Sequence, residues 1–219
     1  MTIRVLLADD DEAIRSAYRI ILDAQPDIEV VNEAADGLAA IALAERLRPD
    51  VILADIRMPR LDGLELTRRL GGEFRVVVVT TFDLDEYVHE ALRAGAAGFL
   101  LKRSGPALLA EAVRSAVAGD ALISPQITVR LLRRLSAGPP KRSAGGRGAE
   151  CPKVGPVEEL TAREREIAGL VAVGATNAEI AAELFISAGT VKNHLAAIQR
   201  KLGTRNRVGI AAWSWESGA

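Results

Sequence analysis

One cysteine in 219 residues, Cys151, excludes an intramolecular disulfide and any zinc site built on a cysteine cluster. The two histidines, His89 and His194, have no His, Cys or carboxylate neighbours at ligand spacing, so neither reads as a metal ligand. His194 reads instead as a helix-packing or phosphate-contacting residue. No run of 18 apolar residues exists, so no membrane-spanning helix is expected. The first residues, MTIRVLLADDDEA, turn acidic after six apolar positions, unlike a signal peptide. Together these absences point to a cytoplasmic chain with no membrane partner. Excess charge is also missing: the net charge is −1. That figure hides a split. Residues 1–135 carry 17 Lys+Arg against 21 Asp+Glu, and residues 136–219 carry 11 against 8. An acidic front and a basic back predict different partners.

What is present begins with two apolar runs, Ile3 to Ala8 and Val51 to Ala54. Both have the continuous hydrophobicity of strands buried in a parallel sheet. Asp9, Asp10 and Asp11 follow the first, and Asp55 ends the second. In an open α/β sheet, ligands bind beyond the carboxyl ends of the strands, so Asp9, Asp10 and Asp55 are expected to converge. At ~4 Å in a partly buried setting each carboxylate pair costs roughly 4 kcal/mol. Such a site must raise a pKa or hold a cation. An all-oxygen donor set suits Mg²⁺.

Two further strands supply the rest of a site. VVVVTTF (Val76 to Phe82) ends in the hydroxyls of Thr80 and Thr81, and GFLLK (Gly98 to Lys102) ends in Lys102. A carboxylate can act as nucleophile and become an aspartyl phosphate. A cation and a hydroxyl beside it would then stabilise the phosphoryl oxygens.

The front half alternates strand and helix patterns, as a doubly wound α/β sheet does. Strands are expected near 3–8, 28–32, 50–55, 75–81 and 98–101. Helices are expected over Asp11 to Ala24, Gly37 to Leu47, Leu64 to Leu70, Leu84 to Ala94 and Pro106 to Ala118. Ser124-Pro125 reads as the start of another helix, ending near Leu135. Ser136 to Pro156 is rich in Gly, Pro and Ala without hydrophobic period and reads as a flexible linker. Its cations, Lys141, Arg142, Arg147 and Lys153, are taken as solvated, and Cys151 as an exposed, incidental thiol.

From Leu160 the pattern is helical throughout. TARE (Thr161 to Glu164) and TNAE (Thr176 to Glu179) are capping boxes, and Ser187 is a third N-cap before a helix reaching Leu202. Val191, Leu195, Ile198 and Leu202 form one apolar stripe. Residues Ser187 to Arg207 hold five Lys+Arg and no acid. A short-helix unit presenting such a face suits the major groove of DNA.

Two resemblances follow from these motifs. LLADD, ADIRMPRLDG, VVTTFDLDEYV and GAAGFLLK, in that order, resemble the receiver domain of bacterial two-component response regulators, the CheY-like fold. The likeness implies a five-stranded sheet of order 2-1-3-4-5. It implies Asp55 as phosphoacceptor and Asp9, Asp10, Asp55 and the backbone carbonyl of Arg57 as Mg²⁺ ligands. It also implies Thr80 as switch hydroxyl, Lys102 as phosphate contact and Phe99 as the switch aromatic. Phe99 lacks the hydroxyl of the commoner Tyr, and Arg103 stands where relatives often have Pro or Asp. The segment LTAREREIAGLVAVGATNAEIAAELFISAGTVKNHLAAIQRKLGTRNRV resembles the LuxR-type helix-turn-helix domain of the NarL/FixJ family. Here the likeness implies that Lys192 and Asn193 read base edges and that Thr190, Arg200, Lys201, Arg205 and Arg207 hold phosphates. A final helix, roughly Arg205 to Trp215, would dimerise the domain.

The expected organisation is a receiver over 1–120, a linker helix and flexible linker over 121–157 and the DNA-binding domain over 158–219. The expected function is transcription regulation. A sensor histidine kinase phosphorylates Asp55, which alters dimerisation or interdomain contact and so controls binding to promoter DNA. The only catalysis expected is the receiver's own aspartyl phosphorylation and dephosphorylation. Two other readings share these residues. One is a Mg²⁺-dependent phosphotransferase, against which stand the lack of a pocket-forming insertion and the presence of a DNA-binding segment. The other is a regulator that binds DNA without phosphorylation, against which stands the complete acid pocket.

Overall fold

A computed structural model describes residues 2–81, 85–124 and 158–217. The helix expected from Ser124 to Leu135, the Gly/Pro-rich linker with Cys151, and Phe82 lie outside the described residues, Ser124 itself excepted. Five strands, β1 (Ile3–Ala8), β2 (Ile28–Ala34), β3 (Val51–Asp55), β4 (Arg75–Thr80) and β5 (Gly98–Leu101), alternate with α1 (Glu12–Asp23), α2 (Gly37–Leu47), α3 (Gly63–Leu70), α4 (Asp85–Ala94) and α5 (Pro106–Ala118). All neighbouring strands pair in parallel. The sheet has six strands rather than five, in the order β2-β1-β3-β4-β5-β6. The sixth, β6 (Leu122–Ile123), pairs with Gly98 and Phe99 of β5. Two residues carry no hydrophobic period, so this edge strand leaves no trace in the sequence.

Burial on both faces explains the unbroken apolar strands. Val5, Leu7, Leu53, Val77, Val79 and Leu100 pack on Leu22 of α1 and on Leu109 and Val113 of α5. Leu6, Ile52 and Val76 face Ala40, Leu66 and Leu70 of α2 and α3. Val78, Phe99 and Leu101 close against Val88 and Ala91 of α4. Successive strand residues therefore go to opposite layers. The connections leave β1 toward β2 in one direction and toward β3 in the other. This reversal is where an open α/β sheet gathers its ligand, and Asp9 and Asp55 stand on its two sides.

The second group of helices is α6 (Ala162–Ala172), α7 (Asn177–Glu183), α8 (Ala188–Leu202) and α9 (Arg207–Ser217). Both capping boxes are formed, Thr161 with Glu164 and Thr176 with Glu179. The Ser187 side chain accepts from the Thr190 amide, and α8 ends on Gly203 at φ 65°. There a side chain would be strained, which is why helices close on glycine. The stripe Val191, Leu195, Ile198 and Leu202 is buried against Ile167, Val171, Ile180 and Ile210.

Candidate functional site

The acid pocket is built from strand ends. Asp9 follows β1 and is buried, Asp10 is exposed, and Asp55 closes β3 at 5 % exposure. Oxygens of the three carboxylates lie within 4.8 Å of one another. Lys102, one residue past β5, spans them: its Nζ is 2.6 Å from Asp9 Oδ2 and 3.1 Å from Asp55 Oδ2. The remaining oxygens are engaged as well. Asp9 Oδ1 accepts from the Asp11 amide at 3.0 Å, and Asp55 Oδ1 from the Ile56 amide at 2.8 Å. Asp11 caps α1, accepting from the amides of Ala13 and Ile14.

Burial raises the Asp55 carboxyl above its ordinary range; Lys102 opposes this, and the Asp9 charge adds to it. Burial disfavours the Lys102 ammonium, yet its contacts with Asp9 and Asp55 hold its pKa above the usual value. Lys102 is thus a fixed cation within a carboxylate cage. The donor set is all oxygen, which fits a hard divalent cation.

The loop after β3 is held by close backbone packing. The Gly63 amide donates to the Ile56 carbonyl at 2.9 Å, and a Cβ at Gly63 would lie 2.0 Å from the Asp55 carbonyl oxygen. Asp36, buried at the N-terminus of α2, pairs with Arg60 of the same loop. Arg57 reaches over the mouth of the pocket to the Tyr87 hydroxyl at 3.5 Å. Thr80 is fully buried at the end of β4 and Thr81 is exposed. Phe99 is fully buried between α4 and the sheet.

Two residues beside the pocket were not singled out from sequence. Arg15 donates to the Asp9 carbonyl at 2.7 Å and pairs with Glu33. Tyr18 lies on the apolar face of α1, among residues that read simply as core. A small cavity of about 10 Å³ is lined jointly by Tyr18, Arg15 and the carboxylate residues Asp9 and Asp55, and otherwise by apolar side chains.

The residues expected to meet DNA fall into three groups. Asn193 and Arg200 are exposed on α8, and Thr190 bonds the Ser187 hydroxyl at 2.9 Å. Lys201 turns inward, its Nζ 2.9 Å from Glu164 Oε2, both side chains being nearly inaccessible. Burial alone would raise the Glu164 carboxyl, but Lys201 and the Thr161 amide and hydroxyl hold it down at about 2. Sequence marks Glu164 as a capping residue; its second partner, 37 positions away, is a tertiary fact.

Three further cations meet the receiver. Lys192 donates to the Val117 carbonyl at 3.1 Å. Arg205 donates to the carbonyls of Arg68 at 3.0 Å and Ala94 at 3.4 Å. Arg207 lies 3.3 Å from Asp120 and donates to Asn177 Oδ1 at 2.6 Å and to the Ala175 carbonyl. Asn177 Nδ2 reaches the Ala118 carbonyl at 2.7 Å, and Asn206 Nδ2 reaches Leu92 at 2.7 Å and Ala96 at 3.1 Å. A cleft of about 290 Å³ remains between the domains. The receiver side of this contact is the edge where chain enters the strands, opposite the acid pocket.

Comparison with known proteins agrees with both halves. A family model described as response regulator receiver domain matches residues 5–114. A second, described as bacterial regulatory proteins of the luxR family, matches residues 158–214. The transcriptional regulatory protein LiaR of Bacillus subtilis is 40% identical over 215 residues, covering 97% of this chain and 96% of that one. The response regulator protein VraR of Staphylococcus aureus is 36% identical, covering 99% and 98%. The crystal structure of ChrA, a response regulator of a heme-sensing two-component system, superposes with a TM-score of 0.53. Its identity is 36%, with 99% of this chain and 98% of that one covered.

Proposed function

The chain belongs to the two-component response regulators that join a receiver domain to a LuxR-type DNA-binding domain, and from this premise we propose that phosphorylation of Asp55 frees α8 from the receiver to bind promoter DNA. One observation carries the proposal. Lys192 and Arg205, which the resemblance assigns to DNA, are bonded to the receiver. A helix so held cannot enter a major groove.

Asp55 is the nucleophile. Its carboxylate oxygen attacks the phosphorus of a phosphohistidine on a sensor kinase, and the imidazole leaves as the N–P bond breaks. Asp9, Asp10, Asp55 and the Arg57 carbonyl would hold Mg²⁺, which when bound neutralises charge on the phosphoryl oxygens. Lys102 already contacts the Asp55 carboxylate, so the same ammonium meets the new phosphoryl group. Thr80, at the end of the neighbouring strand, supplies a hydroxyl to it. Phe99 is the buried aromatic through which the β4–β5 region responds. Its response is one of packing, because it has no hydroxyl.

On DNA, Lys192 and Asn193 read base edges while Thr190, Arg200 and Arg205 hold phosphates. Lys201 and Arg207 serve chiefly to hold structure, Lys201 within its own domain and Arg207 also across to Asp120. The DNA-bound form is a homodimer, its two-fold matched to paired half-sites.

The test is intact mass after incubation with acetyl phosphate and Mg²⁺, followed by DNA binding. Wild type should gain one phosphoryl group and bind DNA more tightly, and Asp55→Ala should do neither. Equal adducts on both proteins would overturn Asp55 as acceptor. Unchanged DNA affinity after modification would overturn the release of α8.

A further inference from the structure

We propose that Tyr18 is a positioning residue of the acid pocket, its hydroxyl linked to the carboxylates of Asp9 and Asp55 through one water held in the cavity between them. The inference rests on the preceding reading of the pocket as a phosphoryl and Mg²⁺ site.

The geometry carries it. The cavity of about 10 Å³ is lined by Asp9, Arg15, Tyr18 and Asp55 and otherwise by apolar side chains of β1, β3 and β4. A volume of roughly 10–15 Å³ is what one water needs, together with two to four polar partners. The cavity is of that size, and Asp9, Arg15, Tyr18 and Asp55 among its lining residues carry polar atoms. The Tyr18 ring is embedded in the core formed by Val5, Leu7, Leu22 and Leu53 and is only 9 % exposed. Burial, reinforced by the charges of Asp9 and Asp55, holds the phenol well above its ordinary pKa, so it keeps its proton.

The phenol donates to the water, and the water donates one hydrogen to each carboxylate. Lys102 bridges the same two carboxylates through their Oδ2 atoms. The pair is then tied from two directions, by a cation and by a neutral donor chain. Groups that orient metal-binding carboxylates from behind typically alter metal affinity by 10–100-fold. Acting through a water, Tyr18 belongs at the lower end.

The experiment is Mg²⁺ titration calorimetry on the full chain, comparing wild type, Tyr18→Phe and Asp10→Ala, with metal-free melting curves for each. Tyr18→Phe keeps the ring and its packing. It should weaken Mg²⁺ binding roughly tenfold. A purely structural tyrosine would lower the melting temperature and leave the Mg²⁺ affinity unchanged, and that result overturns the inference. If Asp10→Ala binds Mg²⁺ like wild type, the acid pocket is not the metal site and the inference falls with it. If Asp10→Ala abolishes binding while Tyr18→Phe matches wild type, only the role of Tyr18 falls.

Discussion

At the scale of single residues, the pocket owes its shape to contacts that leave no room for a side chain. Gly63 meets the carbonyl of Asp55 so closely that a Cβ would stand 2.0 Å from its oxygen. Gly63→Ala must therefore push the β3–α3 loop or the Asp55 backbone aside. Overpacking of this kind costs about 1–3 kcal/mol, and a shift of about 1 Å at a reacting group can cost roughly a hundredfold in rate. We expect Gly63→Ala to remain folded in urea titration but to accept phosphate from acetyl phosphate roughly a hundredfold more slowly, followed by intact mass. A wild-type rate would mean that the loop yields without moving Asp55. That Asp9, Asp10, Asp55 and Lys102 meet was legible because each ends or closely follows an apolar run, and the ends of parallel strands share one edge. Arg15 and Tyr18 were not. Both lie on α1, where an arginine reads as solvated and a tyrosine as core, and only the packing of α1 on β1 and β3 brings them to the pocket.

At the scale of elements, α8 answers to two demands. Its apolar stripe holds it to α6, α7 and α9, and its polar side must carry cations outward. Lys201 breaks that division by turning inward to Glu164 at the start of α6. Removing one partner of a buried pair strands the other charge, at a cost of roughly 3 kcal/mol. Lys201→Ala should accordingly melt the DNA-binding domain at lower temperature, with stability lost even for the part of α8 that touches no DNA. The pH dependence has a definite sign. The folded Glu164 carboxyl is depressed from 4.5 to about 2. Its contribution is therefore complete above about pH 4.5 and disappears as pH falls from there toward 2. Acid titration of wild type and Glu164→Gln, followed by circular dichroism, should show that this acid-sensitive increment belongs to wild type alone. Parallel curves would remove the pair from the account of stability. The strands, the capping boxes and the helix ends were legible from periodicity and cap chemistry. β6 escaped because two residues hold no period, and the Lys201–Glu164 pair because both residues already had a local reading.

At the scale of the whole molecule, the two domains are joined by bonds from Asn177, Lys192, Arg205, Asn206 and Arg207 to the receiver. A typical hydrogen bond contributes only about 0.5–1.5 kcal/mol net. Moving an equilibrium from 1:99 to 99:1 takes about 5.5 kcal/mol. A clasp of this size is firm at rest and within reach of a phosphoryl group. Asp120 is the receiver side chain that pairs with Arg207 and accepts from the Asn177 amide. Asp120→Ala should raise the DNA affinity of the unphosphorylated protein roughly five- to tenfold, equivalent to about 1–1.4 kcal/mol. It should also enlarge the radius of gyration in solution scattering. An unchanged affinity would show that DNA does not compete with this contact. The arrangement could not be read from the sequence, because its acceptors are mostly backbone carbonyls, which every residue has. Their placement is nonetheless systematic. Arg68 lies in the last turn of α3, Leu92 and Ala94 in that of α4, and Val117 and Ala118 in that of α5. There the carbonyls lack partners within the helix and carry the negative end of its dipole. Side chains suited to DNA phosphates are thus received, Asp120 apart, by a surface of backbone oxygens that no point substitution can delete. Such a joint is tolerant of mutational drift in the receiver, provided the helices keep their lengths.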